Sequence, residues 1–269
     1  MSVRIEPTGR RSVQVEVEVP GTPDEVWQAI ATGPGVSAWF VPTDVTPATS
    51  DNYVGGAVTS HFGAGMDAVA TITAWDAPHR FAADSSIGPN APTFATEWTV
   101  EARGGGRCVV RVVHSLFADT ADWDDQLTGV ESGWPAFFLI LRLYLEHFRG
   151  EPCTRFQLTA FPTGTCADVW ARVISALGLS GAIVGERRNA SAEAPPLSGT
   201  VEAVHEGEHP HLLLRLDLPA PGAAILNSCA AGDKAFLTVS FYLYGASAAG
   251  VAARAEPQWS AWFASHFPQ

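Results

Sequence analysis

Hydrophobic and polar positions alternate through residues 12–19. Val13, Val15, Val17 and Val19 face one way, and Gln14, Glu16 and Glu18 the other. This period of two predicts a strand with one wet face. The period then changes. Thr22 is a good N-cap, Pro23 suits the first helical position, and Glu25 completes a capping box. Val26, Trp27 and Ile30 form the apolar face of a short helix, which Gly33-Pro34-Gly35 is expected to end before a second helical turn through residues 36–40. Alternating segments return at 57–62, 66–75, 80–84, 94–102 and 107–116, punctuated by turn residues such as Gly63-Ala64-Gly65 and Gly104-Gly105-Gly106. Cys108, Val110, Val112 and His114 fall on the inward face of the last of these, and Thr96, Trp98 and Val100 on that of its neighbour. Antiparallel pairing with one face turned inward follows. Trp134, Phe137, Phe138, Leu141, Leu145 and Phe148 then mark one face of a long helix.

One phrase of this pattern occurs twice. Gly21-Thr22-Pro23-Asp24-Glu25-Val26-Trp27-Gln28-Ala29-Ile30 returns, 143 positions later and without a gap, as Gly164-Thr165-Cys166-Ala167-Asp168-Val169-Trp170-Ala171-Arg172-Val173. Each copy follows an alternating segment and opens a helix. Two tandem domains, 1–150 and 151–269, are the simplest reading. In the second, residues 155–161 read as the strand, 165–177 as the helix, and 199–204, 211–218 and 235–244 as further strands. Residues 259–267 read as a shortened closing helix. The stretch 181–198 is polar and loop-like where the first copy has Trp39-Phe40. The second copy is therefore expected to be degenerate: a packing or interaction surface, open to a protein partner, rather than a second cavity.

Charge narrows the partners. The chain has 16 basic and 28 acidic residues, a formal charge of −12, spread over both halves. No Lys or Arg cluster is available for nucleic acid or an anionic membrane surface. No apolar run approaches a membrane span, and Arg4, Arg10 and Arg11 precede no apolar core of a signal peptide. Cys108, Cys153, Cys166 and Cys229 are scattered without a Cys-x-x-Cys, which favours a reducing compartment and a cytoplasmic location.

Strand, two short helices, about six antiparallel strands and one long C-terminal helix is the order of the helix-grip fold. This is an α+β class in which a bent antiparallel sheet wraps the helix. The residues also resemble a family. Residues 19–30, Trp39-Phe40-Val41-Pro42, Gly55-Gly56, Asp76-Ala77-Pro78-His79-Arg80-Phe81, and Gly133-Trp134 with Tyr144-Leu145-Glu146 resemble motifs of the START-like (SRPBCC) superfamily. They look like its group of activator of heat-shock-protein-90 ATPase homologues, over residues 12–150. The resemblance implies a hydrophobic cavity between the sheet and the long helix. Its candidate lining is Trp39, Phe40, Phe62, Trp75, Phe81, Trp98, His114, Trp134, Phe137, Phe138 and Leu141. Aromatics at these spacings also build ordinary cores. Six of the nine tryptophans nevertheless fall before residue 150, a large flat surface for a small domain.

His114 is the candidate catalytic residue, since an inward histidine could orient a ligand or move a proton. His61 and Asp67 read as outward and solvated. No nucleophile motif or phosphate-cradling loop is present. His205, His209 and His211 read as a turn, and Asp119, Asp122, Asp124 and Asp125 as a solvated loop and helix start. Neither is expected to hold a metal, and no cofactor is expected. Three functions remain: a carrier or sensor for a small hydrophobic molecule, a cyclase or dehydratase acting on an apolar or polyketide-like substrate in which His114 or a tyrosine moves a proton, and a co-chaperone-like protein that binds a partner.

Overall fold

A computed structural model describes residues 3–63, 65–86, 92–117 and 124–268. Ala64 of the expected turn, and Asp119 and Asp122 of the acidic run, lie outside the described residues. The chain divides into two compact units, Met1–Arg149 and Gly150–Gln269.

The first unit runs β1 (Arg4–Ile5), β2 (Arg10–Pro20), α1 (Pro23–Ala31), α2 (Gly33–Ser37), β3 (Thr43–Thr46), β4 (Ala57–His61), β5 (Asp67–Asp76), β6 (Arg80–Ser86), β7 (Thr93–Arg103), β8 (Arg107–Phe117) and α3 (Asp124–His147). Its strands form one antiparallel sheet in the order β1-β2-β8-β7-β6-β5-β4-β3. The long helix α3 lies along β2 and touches α1. This is the helix-grip arrangement.

The capping box is formed. The Thr22 N–H donates to Glu25 Oε2 at 2.8 Å, and the Glu25 N–H to Thr22 Oγ1 at 3.4 Å. The Thr22 backbone is the largest cause holding the Glu25 carboxyl below its usual pKa, with the Arg149 guanidinium assisting. The expectation that Gly33-Pro34-Gly35 only ends a helix is corrected. Thr32 closes α1 and also caps α2, its Oγ1 accepting from Gly35 N–H at 3.1 Å, and Pro34 sits in the first turn of the new helix. Proline is tolerated there because that turn's N–H groups have no partner within the helix.

Gly55-Gly56 has a double cause. Gly55 sits at φ +86°, and a Cβ on Gly56 would stand 2.2 Å from the carbonyl oxygen of Thr46. The pair lets β4 start under the end of β3.

The second unit repeats the plan with fewer strands: β9 (Cys153–Ala160), α4 (Cys166–Ala176), β10 (Arg187–Asn189), β11 (Ser198–His205), β12 (His211–Leu218), β13 (Gly222–Ala231), β14 (Lys234–Tyr244) and α5 (Ala248–His266). The sheet order is β10-β11-β12-β13-β14-β9. Thr165 caps α4 as Thr22 caps α1, accepting from Asp168 N–H at 3.1 Å. The closing helix is not short. It starts at Ala248 and continues through Pro257, so the expected start at 259 is corrected. Trp259, Trp262 and Phe263 are buried on it, and Trp259 meets Phe241 at 5.1 Å. Among the described residues, no helix is long and apolar enough to cross a membrane.

Candidate ligand site

Register places the inner face of the first sheet in rungs, because directly paired residues share a face. One rung is Val15–Val112–Trp98–Phe81–Trp75, and the next is Val13–His114–Thr96–Ala83–Ile72. Beyond them come Phe94–Ser85–Ala70–Val58–Val45 and then Ala68–Ser60–Thr43. Burial falls along this series. The first two rungs are buried apart from half-buried Trp75 and Thr96. The third is half-buried throughout, and in the fourth Ala68 is exposed and Ser60 half-buried, while Thr43 at its β3 end is buried again. Partly exposed alanine and serine side chains on an inner face mean that solvent reaches the floor there.

Aromatic rings cover the buried end. Trp39 is 1% exposed and donates its indole N–H to the Ala29 carbonyl at 2.9 Å. It touches Trp98, Trp134 and Phe138, and Trp98 meets Trp134 at 5.0 Å between ring centroids. Trp75 and Phe81 extend the cluster to Trp27 of α1. Leu141 is fully buried further along α3. These residues fill the space between helix and sheet with one another.

The rim of the open end is also aromatic. Half-buried Phe40 meets half-buried Phe137 at 4.6 Å, stacks on Trp134 at 5.3 Å and meets Phe62 at 5.8 Å. Phe62, expected as lining, is 51% exposed because it follows the last residue of β4, beyond the inner rungs. It is a rim residue. Three neighbours of the site were not anticipated. Tyr53 stacks on Trp75 at 4.1 Å, Phe94 stacks on His114 at 5.2 Å, and Thr96 bonds to His114. Phe94 and Thr96 stand on predicted inward positions of β7. Tyr53 sits in a loop without periodicity and gave no signal.

His114 points inward, as the alternation requires, and is 5% exposed. Trp134 donates its indole N–H to His114 Nε2 at 2.6 Å, and His114 Nδ1 lies 3.0 Å from Thr96 Oγ1. An indole only donates, so Nε2 must carry a lone pair and Nδ1 the proton. Burial pushes the imidazole pKa down to about 3. His114 is therefore neutral, in one tautomer, with both nitrogens engaged. That arrangement positions a ring; it holds no exchangeable proton poised near neutral pH.

The remaining candidates sort plainly. His61 is outward, as expected, and sits between Asp44 and Asp67. His205 and His211 face each other across the β11–β12 hairpin with rings 5.2 Å apart. Among the described residues, no group of three or more His, Cys, Asp or Glu side chains is arranged to hold a metal ion. The second unit carries two surface clefts. One, of about 660 Å³, is lined by Ala171, Arg172, Ser175, Ala176, His266 and Phe267. The other, of about 300 Å³, lies between β9 and α5.

Residues 10–138 match the family model described as polyketide cyclase / dehydrase and lipid transport. No curated protein matches the chain. Among solved structures, the chain is similar to CalU16 from Micromonospora echinospora, at 19% identity over 54% of this chain and 83% of that one, with a TM-score of 0.41. It is similar to the Aha1 dimer from Colwellia psychrerythraea, at 20% identity over 52% and 98%, TM-score 0.40. It is also similar to the di-domain ARO/CYC protein BexL from the BE-7585A biosynthetic pathway, at 13% identity over 96% and 99%, TM-score 0.45.

Proposed function

We propose that the first copy, whose residues 10–138 match the family model described as polyketide cyclase / dehydrase and lipid transport, binds a small apolar, ring-bearing molecule on the open part of the inner face and holds it without transforming it. The observation that carries this reading is the fall in burial along the inner rungs, from Trp98 and His114 to Ala70, Ser85 and Ala68, under a rim made of Phe40, Phe62 and Phe137. Ligand sites are typically apolar with a few placed polar groups. Here the walls are aromatic, the floor is small side chains, and Ser60 and Ser85 supply hydroxyls. Ring-on-ring contact with Phe137 and Trp134 favours a flat ligand over a flexible chain.

Carriage is preferred to catalysis because of His114. A cyclase or dehydratase needs a group that gains and loses a proton near neutral pH. His114 is neutral, and using Nε2 as a base would break its bond to Trp134. The family description names cyclases and dehydrases, so turnover is the competing outcome of the test.

The test is native mass spectrometry of the freshly purified chain, followed by titration with fluorenone, a neutral tricyclic ketone, and with lauric acid. The expected result is 1:1 binding of fluorenone, weaker binding of lauric acid, and recovery of any co-purified molecule unchanged. Absence of binding by both probes and by any co-purified molecule overturns the reading. Conversion of a co-purified molecule on incubation replaces carriage by catalysis.

A further inference from the structure

The outer face of the rim holds a histidine between two carboxylates. His61 Nδ1 lies 2.9 Å from Asp67 Oδ1 on β5, and His61 Nε2 lies 3.1 Å from Asp44 Oδ2 on β3. A neutral imidazole has one N–H and one lone pair, so it can serve one carboxylate but must turn the lone pair on the other. Only the imidazolium donates to both. Asp67 is the direct partner of His61 in the β4–β5 register, while Asp44 pairs with Thr59, so the ring reaches it diagonally. One side chain thus ties three consecutive strands. Among the described residues, the charged groups facing the ring are Asp67 from β5 and Asp44 from β3, both acidic. They hold the His61 pKa above its ordinary value, Asp67 first. The two nitrogens point at different carboxylates, so the three groups do not converge on a shared cation.

The same point of the fold carries the mouth of the proposed groove. The His61 N–H donates to the Pro42 carbonyl at 2.8 Å. The next residue, Phe62, donates its N–H to the Met66 carbonyl at 3.1 Å and lays its ring against Phe40. On the inner side, Thr43 Oγ1 and Ser60 Oγ are 3.3 Å apart. β3 is a four-residue edge strand with one ladder neighbour, so side-chain ties form a large part of what holds it.

We propose that His61 is a proton-operated pin on the mouth of the first copy: protonated, it clasps β3, β4 and β5 and keeps Phe62 against Phe40; deprotonated, it releases the rim and lets a bound molecule leave. The release step rests on the binding role proposed above; the clasp does not. The sign follows from the raised pKa. The clasp is complete below the ordinary histidine value and is lost as pH rises through the higher value in the folded chain. His61, Asp44 and Asp67 are all more than a third exposed, so the clasp is screened by salt and its effect is modest.

The experiment uses the full chain. The dissociation rate of fluorenone is followed from about pH 6 to about pH 9, and the His61 ring is titrated by NMR on the free protein. Expected are a His61 midpoint above 6.5 and a rate that rises about two- to fivefold through that midpoint. His61→Gln and Asp67→Asn should sit near the fast limit at every pH. A midpoint at or below the ordinary value overturns the proposal, and so does a flat rate while His61 titrates. If fluorenone does not bind, the binding role fails, and amide exchange at Phe62 and Met66 decides the clasp on its own. The ratio of His61→Gln to wild-type exchange should exceed one at low pH and approach one above the midpoint. A ratio of one throughout overturns the clasp.

Discussion

Trp134 on α3 donates its indole N–H to Nε2 of His114 on β8, a 2.6 Å bond between helix and sheet in a buried setting. The bond fixes the tautomer of the histidine and the angle of the tryptophan. It makes a brace of the residue whose chemistry first suggested catalysis, and it sets the aromatic wall beside the open floor.

Removing one half of the brace leaves the other half unsatisfied. His114→Leu keeps the volume but orphans the Trp134 N–H, and should cost about 1–3 kcal/mol in urea unfolding. Trp134→Phe on the same background should cost less than it does in wild type, since no donor is then stranded. Strictly additive losses would show that the bond contributes nothing of its own.

The neutral state of His114 gives a pH signature. Its folded pKa is about 3 against an ordinary 6.5, so between those values the unfolded chain binds the extra proton. The contribution is complete above the ordinary value and is lost as pH falls toward about 3. The slope from one proton is at most about 1.4 kcal/mol per pH unit. His114→Asn should remove that share of the slope between about pH 4 and about pH 6, measured as the difference between the two stability curves. Parallel curves would mean that the ring is protonated in the fold.

Filling the floor should block binding without unfolding. Ala70→Phe and Ser85→Phe place a ring on the half-buried third rung and should weaken fluorenone binding about tenfold or more, some 1.4 kcal/mol. Val69→Phe, on the opposite face of the same strand where Val69 is 55% exposed, should leave affinity unchanged. Equal effects from the two faces would contradict the proposed location.

A methyl group at Gly56 should be expensive. Its Cβ would press on backbone atoms of Thr46, Pro47 and Ala48 rather than on a side chain that can swing away. Gly56→Ala is expected to cost about 3 kcal/mol by thermal or chemical unfolding. A loss near zero would mean that the β3–β4 link shifts freely.

Strong local signals were legible in the sequence. Thr22 with Glu25, the Val13–Val19 alternation and the α3 stripe from Trp134 to Leu145 each appear in place, and Phe148 follows the last residue of α3. His114 was placed inward by alternation alone. Its role was not legible, because the partner that defines it, Trp134, comes from another element. β3, with the sequence Thr-Asp-Val-Thr, is too short and polar to show a period. β13 was also missed. Its first five residues, Gly222 to Leu226, are all buried, so no alternation marks them. The start expected at 259 falls inside α5, which begins at Ala248 and runs through Pro257. Phe62, expected as lining, lies past the end of β4 at the rim, since alternation says which way a side chain points and not how far the strand or its cover extends.

The most direct measurement is the set of tryptophan indole N–H resonances recorded while fluorenone is added to the full chain. Trp134 stacks on the rim ring Phe40 and Trp98 meets Trp134 from the buried rung behind it, while Trp170, Trp259 and Trp262 belong to the second unit. The account predicts shifts at Trp134 and Trp98 that saturate together, with the second-unit signals unmoved. Shifts confined to Trp259 and Trp262, or binding that moves neither Trp98 nor Trp134, would contradict it.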